Sequence, residues 1–248
     1  MDTGEVREIP GRYPEAVRKT VLFLSLACAV VICAQTRPAA PAFTPTVGAP
    51  ELHLQGDNLE DVKETLYRYA QSGQYVREIT RVVAAAHDWL ETRAASATPN
   101  QKLAAVFDID ETALSNLPYI LDCGFCSDSA QARIYPTDRL QAIPPVLDLY
   151  NYTKSKGITP IFITGRYERV RDLTVRNLET SGFKDWAELS MRPEINTDSA
   201  HVFKAGVRAE LERKGYKIVL NIGDQMSDLS GGFSERTYKL PNPFYFRD

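Results

Sequence analysis

The sequence is poor in the features that assign many functions at once. Its 248 residues hold four cysteines and three histidines. Cys123 and Cys126 form one C-G-F-C pair, and no second pair is present to complete a zinc site. His53, His87 and His201 are spare; His201, one turn before Lys204, reads as a solvated residue at a helix start. Basic charge is not in excess. The formal net charge is -3 and the pI is about 5.7, which excludes a nucleic-acid polymer as the natural partner. A small anionic substrate stays compatible, because a local site can oppose the overall charge. The apolar run at residues 21–34 has 14 residues, short of the roughly 17–25 that span a membrane. There is no internal repeat.

What is present is an ordinary globular composition, 44% hydrophobic and 25% charged, enough for one core without a disulfide framework. Arg18 and Lys19 precede the 21–34 run, and Ala34 ends it. A basic step, a short apolar stretch and a small residue describe a secretory signal over residues 1–34. The acids Asp2, Glu5, Glu8 and Glu15 are atypical of one and leave an uncleaved membrane anchor open. Cys28 and Cys33 raise a lipid anchor as a minor alternative. Residues 35–56 are rich in Pro and Ala and read as a stiff linker, leaving 57–248 as the domain. The expected location is secreted or periplasmic, with membrane contact only through the signal or an anchor. In an oxidising compartment Cys123 and Cys126 are expected to form a local disulfide; free thiols and redox or metal chemistry are the alternatives.

Residues 59–95 repeat apolar positions at three- and four-residue steps, which predicts two helices with a break near Ser72-Gly73. This part carries no legible chemistry and reads as packing surface. The continuous apolar run from Leu103 to Ile109 then predicts a buried parallel strand. Helices near 146–156, 168–181 and 202–214 alternate with strands near 159–164, 188–191 and 217–222. That alternation predicts an α/β fold, a parallel sheet with helices on both faces.

Three of these strands end in reactive residues: Asp108-Ile-Asp110-Glu111-Thr112, Thr164-Gly165-Arg166, and Gly223-Asp224-Gln225-Met226-Ser227-Asp228. Ligands bind beyond the carboxyl ends of parallel strands, so the three clusters are expected to meet in one crevice. Asp108, Asp110, Asp224 and Asp228 would repel one another without a cation. Oxygen-only ligands select a hard ion, and Mg2+ is the usual choice beside a phosphate. Thr164 and Lys204 suit the other side of an anionic substrate. Each motif also has a plain reading. A lone D-x-D fills turns and caps helices, T-G-R can be an ordinary turn, G-D-Q a loop, and Lys204 a solvated side chain. Their order at three strand ends is what favours phosphoryl transfer.

These residues resemble the haloacid dehalogenase-like (HAD) phosphohydrolases, in the acid phosphatase branch (class B, subfamily IIIB) that includes plant vegetative storage proteins and bacterial outer-membrane acid phosphatases. The matching segments are FDIDETALSNLPY (107–119), FITGR (162–166), Lys204, NIGDQMSDL (221–229) and KLPNPFYF (239–246). The resemblance covers about residues 59–248. It implies a Rossmann-like sheet with a small lid at about 114–143, which would hold Cys123, Cys126 and the leaving-group candidates Tyr119, Phe125 and Tyr135. It implies Asp108 as nucleophile, Asp110 as general acid and then base, and Thr164 and Lys204 on the phosphate. Magnesium would sit on Asp108, the Asp110 backbone carbonyl and Asp224, with Asp228 in support. Met226 stands where the family commonly has Trp, which bears on substrate preference.

The function expected from this is a Mg-dependent acid phosphatase acting on small phosphate monoesters. A non-catalytic storage or binding protein of the same branch and a phosphotransferase are the competing readings, with C-G-F-C redox chemistry a distant fourth.

Overall fold

The apolar run before the first acids forms the central strand, and the other elements are laid out around it. The structure, a computed structural model, describes residues 43–54, 56, 58–126 and 140–247. In chain order the elements are β1 (Val47–Gly48), α1 (Leu59–Gln71), α2 (Gln74–Ala95), β2 (Lys102–Phe107), β3 (Leu114–Ser115), α3 (Leu117–Asp122), β4 (Gln141–Ala142), α4 (Pro144–Ser155), β5 (Thr159–Tyr167), a 3-10 turn (Glu168–Val170), α5 (Arg171–Thr180), β6 (Glu188–Arg192), α6 (Ala200–Arg213), β7 (Tyr216–Gly223), α7 (Met226–Leu229) and β8 (Thr237–Lys239).

Six strands form one sheet in the order β1-β8-β7-β2-β5-β6, every pairing parallel. Strand β2 is covered on both faces. Leu103, Ala105 and Phe107 join a large core with Ile79, Val82, Ala86 and Leu90 of α2 and Val146, Leu149 and Tyr150 of α4. Ala104 and Val106 point the other way, into a smaller core with Leu211 of α6. Burial on both sides is why this strand reads as an unbroken apolar run. The predicted break between the first two helices falls at Gly73, whose φ of 76° suits a residue without Cβ. Asn58 caps α1, its Oδ1 accepting from the N–H groups of Glu60 and Asp61.

Part of the Pro/Ala-rich segment lies along the edge of the sheet. β1 pairs with β8, the Thr46 N–H donates to Thr237 Oγ1 at 3.0 Å, and the Ala49 N–H donates to Lys239 O at 3.0 Å. A two-residue edge strand has no room for an alternating pattern, and prolines are tolerated beside such edges. Residues 1–42, with the expected signal, lie outside the described residues. Among the described residues no helix is long and apolar enough to cross a membrane.

The expected lid begins and ends in a short antiparallel ribbon, with Leu114 opposite Ala142 and Ser115 opposite Gln141. Cys123 and Cys126 are joined in a disulfide after α3. Phe125 packs edge-on to Tyr67 at 4.9 Å and stacks near Phe244 at 6.2 Å. Its ring is therefore part of the packing under the lid. Tyr119 is half-buried against the large core. Tyr135 lies outside the described residues.

Candidate active site

Register places the reactive residues at one end of the sheet. Phe107 pairs with Phe162 on one side and Ile222 on the other, and the Asp108 N–H donates to Ile222 O at 3.0 Å. Asp108 and Asp224 therefore directly follow β2 and β7, and Thr164 lies towards the same end of the neighbouring β5. The chain passes from β2 to β5 on one side and returns from β6 to β7 on the other, so β2 marks the switch point where open α/β sheets bind ligands.

Four of the expected residues come into direct association. Asp108, Asp224 and Asp228 are buried and bring carboxylate oxygens within 4.8 Å of one another. The Lys204 ammonium donates to Asp108 Oδ1 and to Asp228 Oδ1, each at 2.5 Å. Asp110 does not point its carboxylate into this cluster. It faces Arg166, which donates through Nε to Oδ2 at 2.8 Å and through Nη2 to Oδ1 at 2.7 Å. Asn116 Nδ2 adds a third bond to Oδ1 at 2.9 Å. Thr164, inside β5, is almost fully buried, and its Oγ1 accepts from the Arg166 N–H at 3.2 Å.

Burial and like charge act on these acids together. Burial first, then the charge of Asp228, pushes Asp108 well above the usual carboxylate range, while Lys204 opposes the rise. Burial and Asp228 raise Asp224 to about 7, although Asn242 and Gln225 donate to it. Burial would raise Asp110 too, but the charge and hydrogen bonds of Arg166 outweigh it and its pKa is lowered. On Lys204, burial favours the neutral amine, and Asp108 and Asp228 override it, so its pKa is raised.

The donor set fits a hard divalent cation: only oxygen ligands, three buried carboxylates, and repulsion that an ion would offset. The Tyr75 hydroxyl is buried and has no hydrogen-bond partner among the described residues, and the charges of Glu111 and Asp224 act on it. Tyr75 comes from α2, the region expected to be packing alone.

Several residues that hold the site were not assigned a role from the sequence. Arg166 was visible in T-G-R, but nothing local says that it reaches Asp110. Glu111 sits in left-handed backbone (φ 51°) just after Asp110. It accepts from the Asn116 N–H, from Asn116 Nδ2 at 3.2 Å and from the Tyr245 hydroxyl at 2.6 Å. Burial, then the charge of Asp110, raises Glu111 to about 7. Asn242 and Gln225 each donate to Asp224 Oδ2 at 2.7 Å, and the Thr112 hydroxyl donates to Oδ1 at 3.2 Å. Asn242 and Tyr245 belong to the KLPNPFYF ending, so that segment builds the site. Gly223 leaves room for the Asp228 carboxylate, which a Cβ there would overlap. His201 is not simply solvated: its Nδ1 lies 2.6 Å from Ser230 Oγ. Met226 is the first residue of α7 and lines a cavity of about 680 Å³ with Leu52, Tyr69, Leu240 and Asn242.

Comparison with known proteins identifies the family. The family described as HAD superfamily, subfamily IIIB (acid phosphatase) matches residues 54–248. The chain belongs to that family. Acid phosphatase 1 of Solanum lycopersicum is 33% identical over 193 residues, covering 75% of each chain. Vegetative storage protein 1 of Arabidopsis thaliana is 36% identical over 146 residues, 57% of this chain and 54% of the relative. The chain thus spans about half the length of that storage protein. Among solved structures, the class C acid phosphatase of Bacillus anthracis aligns with a TM-score of 0.61 at 24% identity, over 73% of this chain and 83% of that one. That likeness concerns the fold, which in this IIIB family member is the six-stranded parallel sheet with flanking helices.

Proposed function

We propose that this IIIB family member is an exported acid phosphatase that hydrolyses small phosphate monoesters through an aspartyl-phosphate on Asp108, with Mg2+ as its metal. The observation that carries this is a buried Asp108 carboxylate bonded to Lys204, its oxygens within 4.8 Å of those of Asp224 and Asp228.

Asp108 attacks phosphorus, and the bond to the leaving alcohol breaks as the acyl phosphate on Asp108 forms. Asp110 gives its proton to the departing oxygen. Its side chain is one-third exposed, which suits a group that must meet first the leaving group and then water. Asp110 next takes a proton from the water that hydrolyses the acyl phosphate, which frees the Asp108 carboxylate and inorganic phosphate. The Lys204 ammonium and Thr164 hydroxyl hold phosphate oxygens. Magnesium, when held by Asp108, the Asp110 carbonyl and Asp224 with Asp228 in support, offsets the negative charge that nucleophile and phosphate share. Arg166 gives the acid optimum a physical basis: it favours ionised Asp110, so the proton needed by the leaving group is present only at low pH.

The storage reading draws on the vegetative storage relatives; every position of the proposed machinery is nevertheless filled here. The discriminating experiment is a panel of aryl, nucleotide and sugar phosphates at mildly acid pH, with Mg2+ and with EDTA. Magnesium-dependent release of phosphate supports the enzyme; none across the panel favours storage or binding.

A further inference from the structure

Lys204 shares its helix face with two residues that the chemistry above does not use. His201 precedes it by three positions and Arg208 follows it by four, so all three project from one stripe of α6. Arg208 is the largest fully buried side chain described. Its guanidinium donates to three main-chain carbonyls of one loop: Asp228 O through Nη1 at 2.6 Å, Gly232 O through Nε at 2.9 Å, and Ser230 O through Nη2. Burying a cation against carbonyls is costly compared with pairing it to a carboxylate. The cost shows in its pKa, which burial pushes down to about 10.

The Asp228 carbonyl also accepts from Asn221 Nδ2 at 3.0 Å. Its carboxylate is held at the other end, Oδ1 by Lys204 and Oδ2 by the Gln225 N–H at 2.8 Å. Asp228 and Gln225 form the capping box that opens α7, directly after Asp224. Gly231 packs under the same helix, where a Cβ would collide with Ala205. One helix face therefore sets both the ammonium between the acids and the segment that carries the Asp228 carboxylate.

We infer that Arg208 is a positioning residue of the metal centre: by capturing the carbonyls of residues 228, 230 and 232 it fixes Asp228 beside Asp108 and Asp224 for divalent-cation binding. The planar fork suits three carbonyls in fixed directions, and a lysine, with its donors on one nitrogen, does not reproduce it. The inference rests on the proposed metal site, and the test separates the two.

Magnesium affinity is measured by titration calorimetry on metal-free protein without substrate, for the wild type, Arg208→Met, Arg208→Lys and Tyr150→Phe. Tyr150 bonds Lys184 O away from the site, so its variant controls for lost stability alone. Groups that orient metal ligands are typically worth about 10–100-fold in affinity. Arg208→Met should lose at least about ten-fold, Arg208→Lys should recover part of that loss, and Tyr150→Phe should bind as the wild type does. If Arg208→Met does not fold, Arg208→Lys alone decides, with weakened binding still required. Wild-type affinity in a folded Arg208 variant overturns the inference and leaves the metal site standing. A wild type that binds no magnesium overturns the metal site itself.

Discussion

Removing the divalent cation should turn the buried acids against the fold, and increasingly so as pH rises. Asp224 is 1% exposed and its carboxyl is raised from 3.8 to about 7. An acid with a raised folded pKa holds its proton more tightly folded than unfolded. Its contribution is complete below the unfolded value and is lost as pH climbs to the folded one. At about 1.4 kcal/mol per unit, Asp224 alone should cost metal-free protein about 3 kcal/mol between pH 5 and pH 8. Glu111, raised to about 7, acts with the same sign. Lys204 stays protonated across this range, and the lowered Asp110 titrates below it, so neither reverses the trend. For a domain of this size each kcal/mol moves Tm by about 2–4 °C. In EDTA, Tm should therefore fall by about 6–12 °C from pH 5 to pH 8. With magnesium the ionised acids are the favoured form, and the fall should shrink or vanish. Thermal unfolding followed by circular dichroism, at constant ionic strength, reads both series. A Tm in EDTA that is level or rises over this range refutes the reasoning, as does a magnesium-induced increase no larger at pH 8 than at pH 5.

Asp110→Asn should leave the fold intact and lower kcat by about 10²–10⁴, the usual worth of a general acid; steady-state kinetics on an ester with a poor leaving group checks it. Arg166→Met removes the charge that lowers the Asp110 pKa, so the alkaline limb of the pH–rate profile should move to higher pH; a profile that keeps its position counts against the clamp. Replacing Cys123 and Cys126 together by serine opens a very small loop, so the loss of stability should be about 2 kcal/mol or less, measured by urea unfolding.

The sheet was legible because β2, β5 and β7 are buried on both faces, and continuous apolar runs leave few alternatives. The acid cluster was legible for a related reason: parallel strands deliver their ends to one crevice, so Asp108 and Asp224 meet although 116 positions apart in the chain. β1 and β8 were not, since strands of two and three residues carry no periodicity. The positioning groups were hidden more deeply. Arg166 to Asp110, Tyr245 to Glu111 and Asn242 to Asp224 are single long-range hydrogen bonds, and one polar side chain in a loop has no pattern that names its partner. Arg208 is likewise a single basic residue on a helix, and nothing local names the carbonyls it grips.

In the proposed mechanism Asp108 itself carries the phosphoryl group. Acid quenching of the enzyme during turnover, followed by peptide mass spectrometry, should find one phosphoryl group on the Asp108 peptide of the wild type. Asp108→Asn should show neither that adduct nor turnover. Phosphate release by Asp108→Asn at the wild-type rate would contradict the account.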